Sequence, residues 1–463
     1  MTDHICTPRL LAVLVLLCVS AGLHAANWQP LFNGKDLTGW TQRGGKAPYE
    51  VKDGVIIGTT VPNTPNSFLC TEKTYGDFIL EVEFQVDPRI NSGIQFRSLS
   101  SPDYQSGRVH GYQCEIDPSP RAYTAGIYDE ARRGWLYPLA RNEAGQKAFC
   151  QGTWNELRIE AIGSDIRTWL NGVQCTNLID DLTAEGFIAL QVHSISANNP
   201  EEEGASIMWR KVRILTEDLE SERYRPSMRV PQVNLLPNTL SEQELRQGWR
   251  LLWDGKTSAG WRSSRSETFP QAGWTMDDGV LSIQASGGQE SVKYGDIITK
   301  DKFSNFELCL EFKLTEGANS GVKYFVNPDL NQGEGSEIGL EFQILDDERH
   351  PDAKKGVAGN RTIGSLYDLI AASNLSVPSR SKVFRGIGVW NQARIVVHGN
   401  QVEHWLNGFK VVEYERRTQM YRALVAYSKY RVWPAFGEAD AGHLLLQDHG
   451  DNVDFRSIKI REF

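Results

Sequence analysis

Apolar and polar residues alternate along short stretches of this chain. Phe78, Leu80, Val82 and Phe84 fall on one side of a run, with Glu81 and Glu83 between them. Phe306, Leu308, Leu310 and Phe312 repeat the pattern around Glu307 and Glu311. A period of two marks a strand with one face in a core. Asn171-Gly172 and Asn407-Gly408, each following a strand that carries a tryptophan, are hairpin-turn signals. There is no long amphipathic helix pattern; Ser241-Glu-Gln-Glu244 alone reads as a short helix start, through a capping box. Many short strands joined by Gly and Asn turns predict an all-β sandwich or jelly roll.

The pattern occurs twice. Leu31-Phe-Asn-Gly-Lys-Asp-Leu-Thr-Gly-Trp40 returns as Leu252-Trp-Asp-Gly-Lys-Thr-Ser-Ala-Gly-Trp261. Asp53-Gly-Val-Ile56 returns as Asp278-Gly-Val-Leu281, and Asn91-Ser-Gly-Ile94 as Asn319-Ser-Gly-Val322. Trp154-Asn155 matches Trp390-Asn391, and Trp169-Leu-Asn-Gly172 matches Trp405-Leu-Asn-Gly408. Five matches in one order mean two tandem copies of one domain. They span residues 27–217 and 246–463, joined by a proline-bearing linker or strap over 218–245.

Composition narrows the setting. The formal net charge is -9, which argues against nucleic acid or an anionic membrane surface as the main partner. Arg9, the apolar run from Leu10 to Val19 and the small residues up to Ala26 read as a signal peptide over residues 1–26. The expected location is therefore periplasmic or extracellular, with no membrane anchor after cleavage. Cys70, Cys114, Cys150, Cys175 and Cys309 remain. This odd, widely spaced set does not read as a disulfide framework or a zinc site, and leaves open one first-half disulfide or buried thiols.

Strand parity locates the candidate chemistry. With Ile94 and Phe96 facing the core, Gln95 and Arg97 face the other way; with Tyr112, Cys114 and Ile116 inward, Gln113, Glu115 and Asp117 face outward. In the second copy Lys323 takes the place of Gln95, Glu341 and Gln343 replace Gln113 and Glu115, and Phe325 stands where Arg97 stood. A third strand adds Gln191 and His193, matched by Gln447 and His449, and Tyr128 and Tyr367 recur on the rim. A plain solvated strand face gives the same alternation. These residues differ from one in being rich in amides, carboxylates and imidazoles. Arg210 and Arg456, beside Trp209 and Phe455, read as structural ion-pair partners.

Together the Leu-Phe-Asn-Gly-Lys-Asp-Leu-x-Gly-Trp, Asn-Ser-Gly-Ile, Glu341-Phe-Gln-Ile-Leu-Asp346, Trp-Asn, Trp-Leu-Asn-Gly and Phe455-Arg-Ser-Ile458 motifs resemble the 3-keto-disaccharide hydrolase domain family. That resemblance covers nearly the whole mature chain, twice, and implies a concanavalin-A-like jelly roll for each half. It also implies a carbohydrate partner and cleavage of 3-keto-glycosides by proton abstraction at C2, elimination and hydration. Such chemistry needs a base, an acid for the leaving oxygen and a cation or hydrogen-bond donor for the enolate. By face and chemistry, Glu115, Asp117, Glu341, His193 and His449 are the catalytic candidates. Gln95, Arg97, Gln113, Tyr128, Gln191, Lys323, Gln343, Tyr367 and Gln447 are the substrate-binding candidates. No cofactor is required on sequence grounds, although carboxylate, amide and imidazole groups would permit a divalent metal. The competing functions are a non-catalytic tandem carbohydrate-binding module and an ordinary two-carboxylate glycosidase.

Overall fold

The computed structural model describes residues 26–463 except 289, 292, 293, 331, 332 and 334, so the expected signal peptide lies outside the described residues, apart from Ala26. The chain is all-β and folds as two jelly rolls. Among the described residues the first half forms a nine-stranded and a seven-stranded sheet, the second an eight-stranded and a five-stranded sheet. The predicted alternation holds where it matters. Phe78, Leu80, Val82 and Phe84 of strand Phe78–Val86 are buried in one core, and Phe306, Leu308, Leu310 and Phe312 of strand Phe306–Leu314 in the other.

The repeated motifs pin each sandwich. Trp40 Nε1 donates to the Leu31 carbonyl at 2.9 Å, and Trp261 Nε1 to the Leu252 carbonyl at 2.8 Å, so each motif bonds its own ends together. Asn171 and Gly172 have φ of 49° and 80°, and Asn407 and Gly408 have 50° and 84°. Two consecutive positive φ values define the hairpin turn for which Asn-Gly is selected. In each copy that turn asparagine also donates to the asparagine of Trp-Asn at 2.8 Å, Asn171 to Asn155 and Asn407 to Asn391. The tryptophans before those asparagines lie under arginines: Arg210 over Trp154 at 4.0 Å and Arg456 over Trp390 at 4.1 Å. The same arginines pair with Glu83 at 2.5 Å and Glu311 at 2.8 Å.

The segment between the halves is a strap. Val233–Asn234 adds to the first nine-stranded sheet in parallel with Leu178 and Ile179. Ser241 and Glu244 form the capping box of helix Glu242–Arg246. Asn177 reaches Gln243 at 2.9 Å, and Lys459 ion-pairs with buried Glu244. Asn238 donates to the Gly279 carbonyl at 2.8 Å. The second copy's Trp-Leu-Asn-Gly hairpin packs directly on the first half, where Phe409 lies in the core with its ring 6.2 Å from that of Tyr123. The five cysteines among the described residues are free thiols, four of them buried and Cys150 exposed.

Parity fails at one position in each copy. Strand Ser92–Leu99 shifts register after Phe96, and Arg97 has φ 43°; strand Asn319–Val326 shifts after Lys323, and Phe325 has φ 53°. A bulge inserts an unpaired residue and re-aims the neighbouring side chain. Arg97 therefore turns away from the Gln113–Glu115 face. Its Nε and Nη1 donate to the Gly76 and Gly163 carbonyls at 2.8 Å, and its Nη2 pairs with Asp77 at 2.9 Å. The assignment of Arg97 as a substrate-binding residue is thus corrected: it ties the ends of two sheets together. Arg97→Met removes the donor to two carbonyls and the cation beside Asp77, which keeps only the Gly163 N–H, and is expected to cost about 2–4 kcal/mol. Chemical denaturation measures this, and an unchanged midpoint contradicts the assignment.

Candidate functional site

In the first half, the outer face of the seven-stranded sheet opens into a cleft of about 630 Å³, which Gln113, Glu115, Asp117, Tyr128, Gln191 and His193 help to line. Cross-strand register explains the convergence: Gln95 opposes Gln113, Gly93 opposes Glu115, and Gln191 opposes Gly93 on the other side. Gly93 is required there, because a Cβ would come within 2.5 Å of the Gln113 side chain.

A directional hydrogen-bond chain runs along this face. Ser98 Oγ donates to Gln95 Oε1 at 2.7 Å, Gln95 Nε2 to Gln113 Oε1 at 2.6 Å, and Gln113 Nε2 to Glu115 Oε2 at 2.8 Å. Gln95 thus sits behind the cleft and acts through Gln113. Asn91 Nδ2 donates to Glu115 Oε1 at 2.7 Å, and Arg121 approaches the same oxygen at 3.4 Å. Burial pushes the Glu115 carboxyl up, against the pull of Asn91, Arg121 and Gln113. Asp117 is occupied as a brace: it pairs with Arg121 Nε at 2.6 Å and accepts the Ser119 N–H at 3.1 Å. Gln191 is fully buried, and neither polar atom of its amide has a partner. His193 Nδ1 lies 2.7 Å from the Ser194 carbonyl.

The second half keeps the frame and changes the chemistry. Lys323 opposes Glu341, and Gly321 opposes Gln343. Lys323 bonds Ser336 and donates to the Glu337 carbonyl at 3.1 Å, so the amide chain of the first half has no counterpart. Glu341 is 4% exposed. It accepts from the Gln343 amide at 3.1 Å, in the amide orientation that also lets Gln343 donate to the Ser320 carbonyl at 3.0 Å. Burial pushes the Glu341 carboxyl up to about 7, with Lys323 and Lys429 pulling down and Glu290 and Asp296 pushing up. Gln447 Nε2 donates to Glu290 Oε1 at 2.7 Å, leaving Gln447 Oε1 buried without a partner. Tyr367 is held by Asp352 at 2.7 Å and carries the Lys429 ammonium 4.3 Å from its ring centre.

Sequence parity missed Arg121, Lys429 and Glu290. Arg121 lies in a turn after its strand, where alternation says nothing. Lys429 lies in a helical insertion that includes helix Gln419–Ala426 and has no counterpart in the first copy, so the repeat could not flag it. Residues that could hold a cation are His350, His449 and Asp451, one ligand atom from each lying within 4.8 Å of the others. His350 Nδ1 accepts the Asp352 N–H at 3.2 Å. In the neutral ring this puts the proton on Nε2, so a cation would have to displace that bond. A second depression of about 650 Å³ lies on the opposite sheet, against Glu81, Glu83, Arg158 and Arg213. Its charges neutralise one another, Arg158 and Arg213 both pairing with Glu81, and we read it as surface packing.

Fold and site define a tandem concanavalin-A-like jelly roll with a buried carboxylate on a polar sheet face in each copy. The chain belongs to the family described as 3-keto-alpha-glucoside-1,2-lyase-like domain, matched over residues 27–215 and again over 248–461. It is 38% identical over 234 residues to a curated protein of Bacteroides thetaiotaomicron named 3-keto-disaccharide hydrolase, covering 46% of this chain and 78% of that one. A crystal structure of a Parabacteroides distasonis protein is 26% identical, covers 49% of this chain and 100% of its own, and aligns with a TM-score of 0.42. A carbohydrate-binding module from Bacillus subtilis is 17% identical, with 38% and 96% coverage and a TM-score of 0.28. Among the described residues no helix is long and apolar enough to cross a membrane.

The raised Glu341 carboxyl carries a stability signature. Its folded-state value of about 7 lies above the ordinary 4.5, so the folded state holds the proton more tightly than the unfolded chain. The resulting stabilisation is full below about pH 4.5 and lost as pH rises through about 7. Relative to Glu341→Gln, the parent should lose on the order of 3 kcal/mol between about pH 4 and about pH 8. Denaturation of both proteins across that range checks it; parallel curves contradict it.

Proposed function

We propose that this chain cleaves glycosides oxidised at C3, with Glu341 of the second copy as the base. The single observation that carries the reading is the buried Glu341 carboxyl, raised to about 7 and beside two lysines. A base is most effective when its pKa lies near the working pH. Family membership and the name of the Bacteroides thetaiotaomicron relative support the substrate class. The 3-keto group acidifies the proton at C2. Glu341 takes that proton, and the electron pair moves into the C2–C3 enolate, whose oxygen faces a lysine ammonium. Collapse of the enolate expels the C1 substituent, whose oxygen takes up the proton now held by Glu341 and leaves as an alcohol. Water then adds across the C1–C2 double bond and restores a 3-keto sugar. Lys429 suits the enolate-stabilising role because its ammonium sits 4.3 Å from the Tyr367 ring centre and is one of the two cations that act on the Glu341 carboxyl.

Glu341 is preferred over Glu115 because Glu115 is committed to three donors, whereas among the described residues Glu341 accepts one. A proton-abstracting oxygen needs a free lone pair. The apolar run from Leu10 to Val19 supports an exported protein acting on glycans outside the cytoplasm.

On a 3-keto-glucoside, Glu341→Gln should lower kcat/KM by about 10²- to 10⁴-fold, with Glu115→Gln within about threefold of the parent. The parent's kcat/KM should rise with pH through about 7 as Glu341 loses its proton, and deuterium from solvent should appear at C2 of recovered substrate. Equal turnover of the unoxidised glycoside, or full activity of Glu341→Gln, overturns the reading.

A further inference from the structure

The cleft of the first half is not built by the first half alone. Arg380, from the segment that precedes strand Asn391–His398 of the second half, is among its lining residues. That segment is anchored on the first half. Val377 lies in the first half's core cluster and Val383 packs against it. Arg385, half-buried, donates to the Trp135 carbonyl at 2.9 Å. Trp135 is itself a cleft wall: its ring carries Arg121 at 5.1 Å and meets Tyr128 edge-on at 5.4 Å. The second half therefore sets the position of Trp135, and through it Arg121, the partner of Glu115 and Asp117.

Two unused polar groups face this cleft. Gln191 lies at its floor, wholly buried, with both polar amide atoms lacking a partner. A buried amide without partners is costly, which marks a place where something from outside completes the bonding. Arg380 lies at the rim and is exposed. The other lining arginines are occupied, Arg89 by Asp87 at 2.6 Å and Arg121 by Asp117 at 2.6 Å. Among the described residues the Arg380 guanidinium has no ion pair. A cleft of about 630 Å³ falls in the range of sites that hold ligands larger than one sugar ring, roughly 300–1,000 Å³.

We propose that the first cleft is an oligosaccharide-binding site built jointly by the two copies. Gln191 bonds the hydroxyls of the sugar at the floor, Trp135 and Tyr128 supply apolar ring surface, and Arg380 recognises the next sugar unit out. This goes beyond the catalytic reading of Glu341 and is read by binding rather than by turnover. A two-copy chain would then hold a glycan on one half while the other acts on it, raising the local concentration of reacting ends.

The test is calorimetric titration of the full chain with glucose and with malto- and cello-oligosaccharides of two to four units. For one of the two series, affinity should rise at least fivefold from one unit to two or three. Arg380→Ala should remove that increment while leaving single-sugar binding and turnover of a 3-keto-glucoside unchanged. Gln191→Leu should abolish binding at every length; unfolding curves matching the parent confirm that both variants fold. Length-independent affinity, parent-like binding by Arg380→Ala, or no binding of any probe overturns the proposal. Because turnover is measured on the same proteins, loss of the Glu341 reading and loss of this one give different results.

Discussion

A carboxyl group shut into a sheet face must gather donors or keep its proton, and both halves of this chain are organised around that constraint. The first half gathers donors. Glu115 ends a relay that starts at Ser98, and Asn91 and Arg121 approach its other oxygen. The second half removes the relay by placing Lys323 where Gln95 stood. Glu341 is left with one amide and the longer-range field of two lysines and two acids, and its carboxyl rises to about 7. One frame thus yields a carboxyl held by three donors and one held by a single amide, through exchange of neighbours with no change of fold.

Much of the frame was legible in the sequence. Alternation placed the core residues of Phe78–Val86 and Phe306–Leu314, and repetition placed the two copies. The motifs most conspicuous in the repeat prove to be pins. Trp40 and Trp261 close their own turns, and the Trp-Asn asparagines bond the hairpin asparagines. They persist in both copies because a jelly roll with buried turn amides needs those bonds, whatever chemistry its outer face carries.

The site was partly legible, and the limits are physical. Parity put Gln113, Glu115 and Gln191 on one face because their strands pair without interruption there. It failed at Arg97, where a bulge with positive φ re-aims the side chain; a local dihedral leaves no trace in an alternating pattern. It could not supply Arg121 or Lys429, which come from a turn and an insertion. Nor could it show that Arg380 stands in the first cleft, because that contact depends on how two copies pack and each copy's pattern speaks only for its own sheets.

The central claim is that burial, incompletely offset by lysines, holds the Glu341 carboxyl protonated up to neutral pH. Carboxyl ¹³C resonances of glutamate-labelled protein, assigned by comparison with Glu341→Gln, measure this directly. The account predicts one glutamate titrating near 7 that is missing from the variant. A Glu341 resonance that titrates at or below the ordinary value of 4.5 would contradict it.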